Sequence, residues 1–381
     1  MRITQHPLWQ VGFRPFFALA CLSGLSLPLL WAAIYSGRIS FPAGDFQAVQ
    51  WHAHEMFFGF GWAVLGGFLL TATKNWVNIR GYHGGALMFL VAAWLFERCG
   101  MWFGGEWPPL LFRLSNNLFL LSIVAMLLWT LIRYRKQDAF KDNYLFLLIL
   151  PLFLLSKNLM LSTEYMLIGW SMALGLFRMA FLVMLERTQT PFMQGAFQVA
   201  ILRNPVLDNS IKLLGLLLVF ESLMPAALSG WLALLLAALL AGRFVFWKPH
   251  LAFQRLDIGI MYLGYLAIVI QLVIYFANQI APLHWVGSLS MHLFTFGAMG
   301  LIIPAMLMRI SKGHTGRKVV FDRIDRFVLH VMLLGLLVRV VLPQLYPDSY
   351  VQWIYLAAAC WLLCFGVLAW RYIPILLKPR L

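Results

Sequence analysis

The residues able to do chemistry in this chain are few, and most of them are histidines and arginines. One segment reads Trp51-His52-Ala53-His54-Glu55-Met56, and a second begins at His292. An arginine follows each at some distance, Arg98 beside Glu97 in the first case and Arg339 in the second. Imidazoles with few carboxylates suit haem iron, copper or zinc, whereas calcium and magnesium would ask for oxygen ligands. His54 and His292 are therefore candidate metal ligands, the alternative being an interhelical hydrogen bond. His52 is a third candidate, or an interfacial residue beside Trp51. Arg98 and Arg339 either neutralise carboxylates or hold anionic groups such as haem propionates by paired hydrogen bonds. Cys360 and Cys364 share a helix face and could bind soft Cu(I), although buried small-residue packing is the better account of them. No phosphate-binding glycine loop, CxxCH, HExxH or GxSxG pattern is present.

The elements that must position these groups follow from composition. Of 381 residues, 62% are hydrophobic and 11% charged, and the mean hydropathy is +0.81. A water-soluble domain would be nearer half apolar and a quarter charged. The chain is predicted to be all-α, a single polytopic helical bundle over 1–381 with about twelve transmembrane helices. The apolar windows fall at 13–35, 51–73, 84–104, 112–132, 143–161, 164–185, 208–228, 230–247, 257–277, 287–308, 325–342 and 351–372. Twelve crossings put both termini on one side. That side collects nearly all the basic residues, from Arg2 and Arg14 through Lys74, Arg80 and the run Arg309–Arg326 to Lys378 and Arg380. Arg38 stands almost alone on the other. Such asymmetry predicts cytoplasmic N- and C-termini. The net charge of +15 is then topological and needs no nucleic-acid partner.

With helix directions assigned, His52, His54, His292, Arg98 and Arg339 share the outer half of the membrane, while His314 and His330 belong near the inner face. Ionisable groups at such depths are functional candidates by default. His52 and His54 lie about 200° apart on a helix, so they cannot both face one metal without distortion. An internal echo links the two histidine segments. His54-Glu-Met-Phe-Phe58-Gly59 and His292-Leu-Phe-Thr-Phe296-Gly297 share a spacing, and each has a lysine twenty residues after its histidine, Lys74 and Lys312. The glycines at 59, 61, 66, 67, 297 and 300 would admit a flat macrocycle, or simply tight helix packing.

At these motifs the chain resembles the NnrS family of bacterial membrane proteins. The likeness is carried by Gly12-Phe-Arg-Pro-Phe-Phe17, Trp51-His-Ala-His-Glu-Met-Phe-Phe-Gly-Phe60, Gly67-Phe-Leu-Leu-Thr71 and Asn75-Trp76. It continues through His292-Leu-Phe-Thr-Phe-Gly-Ala-Met-Gly300, Arg309-Ile-Ser-Lys-Gly-His-Thr-Gly-Arg317 and Arg371-Tyr-Ile-Pro-Ile-Leu376. The resemblance implies a haem- and copper-containing inner-membrane protein linked to denitrification and nitrosative stress, with nitric oxide as its ligand. It carries over His52, His54, His292 and His314 as metal-site positions, supported by Arg14, Arg98, Arg309 and Arg339. Two places depart from the family pattern. Leu185–Met193 lacks a Gly-Gly-Arg segment, and Tyr262 stands where a histidine is common.

Three functions compete on these residues. The first is a haem/copper protein that binds nitric oxide or relieves its effects. The second is a membrane redox enzyme acting on nitric oxide, which would need about six membrane histidines including an adjacent pair; this chain has no His-His. The third is a transporter of a small anion such as nitrite, using Arg98, Arg178 and Arg339.

Overall fold

A computed structural model describes residues 3–41, 46–281 and 283–381; Arg2, counted above with the basic side, lies outside them. The structure is 83% helical, with no strand among the described residues. In lipid this is the simplest way to satisfy every backbone N–H and C=O within its own segment. Twelve rods follow one another: α1 (Phe13–Tyr35), α2 (Ala48–Trp76), α3 (Gly85–Phe103), α4 (Pro109–Arg133), α5 (Tyr144–Leu161) and α6 (Met166–Phe197). Then come α7 (Pro205–Leu217), α8 (Ala226–Phe246), α9 (Leu256–Ile280), α10 (Leu289–His314), α11 (Arg323–Val340) and α12 (Tyr350–Leu377).

Eleven of these are long and apolar enough to cross a membrane. The exception is α7, predicted as a span at 208–228. Its α-helix has only 13 residues, a 3-10 stretch Leu218–Leu223 prolongs it, and Met224-Pro225 ends it. Asp208, Lys212 and Glu221, all buried, lower its hydropathy. Helix and extension together still measure about 30 Å. They run antiparallel to α6: Lys212 Nζ meets Glu186 Oε1 at 2.9 Å, and Arg178 Nη2 meets Glu221 Oε2 at 3.1 Å. Its charges are hidden against α6 instead of facing lipid.

Two rods are not uniform α-helix. In α2, Glu55–Gly61 is a π-helix between Ala48–His54 and Trp62–Trp76. In α10, Leu293–Met299 is a π-helix between Leu289–His292 and Gly300–His314. Each π segment has seven residues and begins immediately after a histidine, His54 or His292. The echo seen in the sequence is thus also an echo of backbone geometry. Such widened turns cost regular hydrogen bonding and are found mostly at functional sites.

The chain divides into two compact units. Unit 1 comprises Met1–Gly169, Leu307–Val319 and Phe365–Leu381; unit 2 comprises Trp170–Met306 and Val320–Cys364. Within unit 1 the first and last rods meet at one end. Arg14 Nη1 donates to the carbonyls of Leu376 (2.8 Å) and Lys378 (2.6 Å), and Leu381 N donates to Thr315 O (3.0 Å).

Candidate functional site

The unit 1 site is built on the π segment of α2. His54 is fully buried, and its Nδ1 lies 3.1 Å from Glu55 Oε1. Its Nε2 has no hydrogen-bond partner among the described residues and faces Glu97 Oε1 on α3 at 3.5 Å. Arg98 bridges the two carboxylates, with Nε 3.1 Å from Glu55 Oε2 and Nη2 3.2 Å from Glu97 Oε1. From α5 the buried Lys157 ammonium reaches Glu97 Oε1 and the carbonyl of Asn116. Two carboxylates and two cations balance, which is what a buried ionic cluster needs to survive without water.

Local sequence explains this convergence. Gly59 leaves room for Arg98, because a Cβ there would sit 2.6 Å from Arg98 Nη1. Trp94, one turn earlier on α3, donates its indole N–H to the carbonyl of Gly59 at 3.1 Å and lies under the guanidinium. The π segment thus offers a backbone carbonyl sideways to α3. His52 points elsewhere, as its angular offset predicts, and stacks on Trp31 of α1 with ring centroids 4.3 Å apart.

In unit 2 the second π segment carries the corresponding histidine. His292 is half-buried, and its Nδ1 lies 2.9 Å from the carbonyl of Ser288 and 3.0 Å from its hydroxyl. Leu289 and Leu293, either side of it, pack with Val340 at the end of α11. The adjacent Arg339 donates to the Tyr350 hydroxyl at 3.2 Å. Deeper in this unit Ser290 accepts from Gln271 Nε2 (3.3 Å), Gln271 Oε1 accepts from Arg178 (3.2 Å), and Arg178 pairs with Glu221, which also takes the Ser171 hydroxyl (3.1 Å). A continuous polar chain therefore runs from the turn bearing His292 to a fully buried arginine.

Several expectations change. Glu55 orients His54, its carboxylate folding back onto the preceding ring. Arg98 is engaged by carboxylates, the first of its two readings. Most of the glycines are packing positions: side chains of Ile123, Phe16, Ala267 and Met332 occupy the space beside Gly66, Gly67, Gly297 and Gly300. His314 is not brought to His54. Its ring packs on Phe13, whose N–H donates to Thr71, seventeen residues or about 25 Å along α2 from His54. Tyr262 gives its hydroxyl proton to the carbonyl of Trp247 at 2.8 Å, a structural bond. Sequence reasoning did not single out Lys157 as a site residue. The available signal was a lone lysine inside an otherwise apolar run.

The chemistry of both histidines fits a metal. At His292 the Ser288 carbonyl accepts from Nδ1–H and leaves the lone pair on Nε2, as in protein sites where a second residue orients a ligating imidazole. At His54 a carboxylate faces each ring nitrogen, Glu55 at Nδ1 and Glu97 at Nε2, so a metal there would share Nε2's surroundings with Glu97. Among the described residues no group of three His, Cys, Asp or Glu side chains gathers as an all-protein metal cage. An imidazole ligand to a prosthetic group needs no such cage.

Fold and site together define a polytopic helical membrane protein with a buried, charge-balanced histidine cluster on one distorted helix and a half-buried histidine on a second. The description "NnrS protein" matches residues 7–380, and the chain belongs to the NnrS family. Membership places it among membrane proteins connected with the response to nitric oxide. No curated protein sequence matches the chain.

Proposed function

We propose that this protein carries haem and copper in the bacterial inner membrane and binds nitric oxide or relieves its effects. The observation that carries this reading is the pair of histidine-headed π segments, each with the histidine Nδ1 tied to an oxygen. His54 and His292 would present Nε2 to iron or copper, with His52 beside the first. Glu55 holds the His54 ring, Arg98 pairs with both Glu55 and Glu97, and Lys157 pairs with Glu97, so that the ring does not rotate. Ser288 does the same for His292, and Arg339, which donates to the Tyr350 hydroxyl, would be the group to meet an anionic substituent. When bound, the metal supplies an open coordination position for a small neutral ligand. Nitric oxide concentrates in lipid, so a site within the bundle needs no polar channel.

The basic residues at the meeting of the first and last rods (Arg14, Lys312, Lys378 and Arg380) support cytoplasmic termini under the positive-inside rule. Metal analysis of the purified protein, with an optical spectrum taken before and after nitric oxide, tests the proposal. A Soret band that shifts with nitric oxide is the expected result. Protein free of haem and copper after expression with both supplied would refute it.

A further inference from the structure

A cleft of unit 2 is used by neither histidine site. It encloses about 570 Å³ where α9 and α11 begin, and Phe253, Arg255, Asp257, Val320, Arg326 and His330 are among the side chains lining it. Arg255 is already committed to Asp257, with Nε 3.2 Å from Oδ1 and Nη2 3.0 Å from Oδ2. Arg326, exposed, is the further cation of the lining. One turn on, His330 directs Nδ1 to the Arg326 carbonyl at 2.8 Å, so its Nε2 edge is the one turned away from the backbone.

The surroundings say what kind of anion fits. Phe253 and Val320 are 47% and 64% exposed on the rim. From the same end of α11 an exposed apolar stripe descends through Ile324, Phe327, Leu334 and Leu337, with spacings of three and seven that keep one face. Phe327 lies about 100° around the helix from Arg326, so the cationic edge and the apolar stripe are neighbours. A soluble anion would gain nothing from that stripe. An amphiphile with a phosphate head gains from both.

We propose that this cleft binds the phosphodiester headgroup of an anionic phospholipid, with Arg326 on the phosphate and the acyl chains along the α11 stripe. Basic pockets beside membrane helices are suited to such headgroups, each positive side chain contributing about a fivefold to tenfold gain in affinity. The inference does not rest on the metal reading.

The test uses the delipidated full-length protein in neutral detergent, titrated with phosphatidylglycerol, with phosphatidylethanolamine and with inorganic phosphate, bound lipid being counted by native mass spectrometry. Phosphatidylglycerol should bind about tenfold more tightly than phosphatidylethanolamine. Arg326→Gln should lose about fivefold to tenfold of that affinity, whereas Arg326→Lys should keep most of it. Arg323→Gln removes the same charge from an exposed residue outside the cleft lining and should change binding by less than about twofold. Should Arg326→Gln fail to fold, His330→Gln takes its place, with a loss of the same direction. Equal losses in Arg323→Gln and the cleft variant, or no loss in either, would overturn the proposal. So would displacement of the lipid by millimolar inorganic phosphate, which would make this a free-anion site.

Discussion

At the scale of the residue, the unit 1 cluster works as a closed set of charges. Glu97 is touched by Arg98, by Lys157 and, more distantly, by His54, and none of these four groups reaches bulk water easily. Removing one member leaves its partner charged in a medium that solvates it poorly. Lys157→Met should therefore lower the unfolding free energy in detergent by about 3–5 kcal/mol, and adding Glu97→Gln should restore much of the loss. Independent, additive effects would mean that the pair is not coupled. Little of this was legible in the sequence. The histidines and arginines declare themselves as ionisable groups inside apolar runs, but their partners come from rods far away in the chain. Lys157 lies 60 residues from Glu97, and no local pattern joins them.

At the scale of the element, the two π segments set where the histidines point. A π turn holds one residue more than an α turn, so deleting Met56 should return α2 to regular helix, close the widened turn at His54 and shift its ring by a fraction of a turn relative to Trp62–Trp76. The expected outcome is loss or shift of the Soret signature in a protein that still inserts and keeps its helical circular dichroism. Retention of the signature would mean that the widened turn is not what aims the ring. Rod boundaries were mostly legible: 13–35 is observed as Phe13–Tyr35, and 325–342 as Arg323–Val340. The failures have physical causes. The sixth rod continues twelve residues past the predicted 185 to Phe197, because Glu186, Arg187 and Gln189 end the apolar window without ending the helix. The seventh rod stops at Pro225 instead of 228, since proline cannot continue it. The spacing shared by His54 and His292 was visible, but nothing in it specified a π turn.

At the scale of the whole molecule, an even number of crossings, with α7 counted as one, would put both termini on one side, and the first and last rods do meet at one end of unit 1. Single cysteines introduced at Arg38 and at Lys378, in a background lacking Cys21, Cys99, Cys360 and Cys364, should label oppositely: the first from the periplasm, the second only after the membrane is opened. Labelling of both from one side would refute an even number of crossings and return α7 to a non-spanning role. The central claim is that the histidines heading the two π segments hold the prosthetic group. The most direct measurement compares optical spectra of wild type, His54→Ala, His292→Ala and His330→Ala, purified alike and matched for folded protein. The account predicts that the first two variants lose or shift the Soret band while His330→Ala keeps it. An unchanged band in both π-segment variants would contradict it.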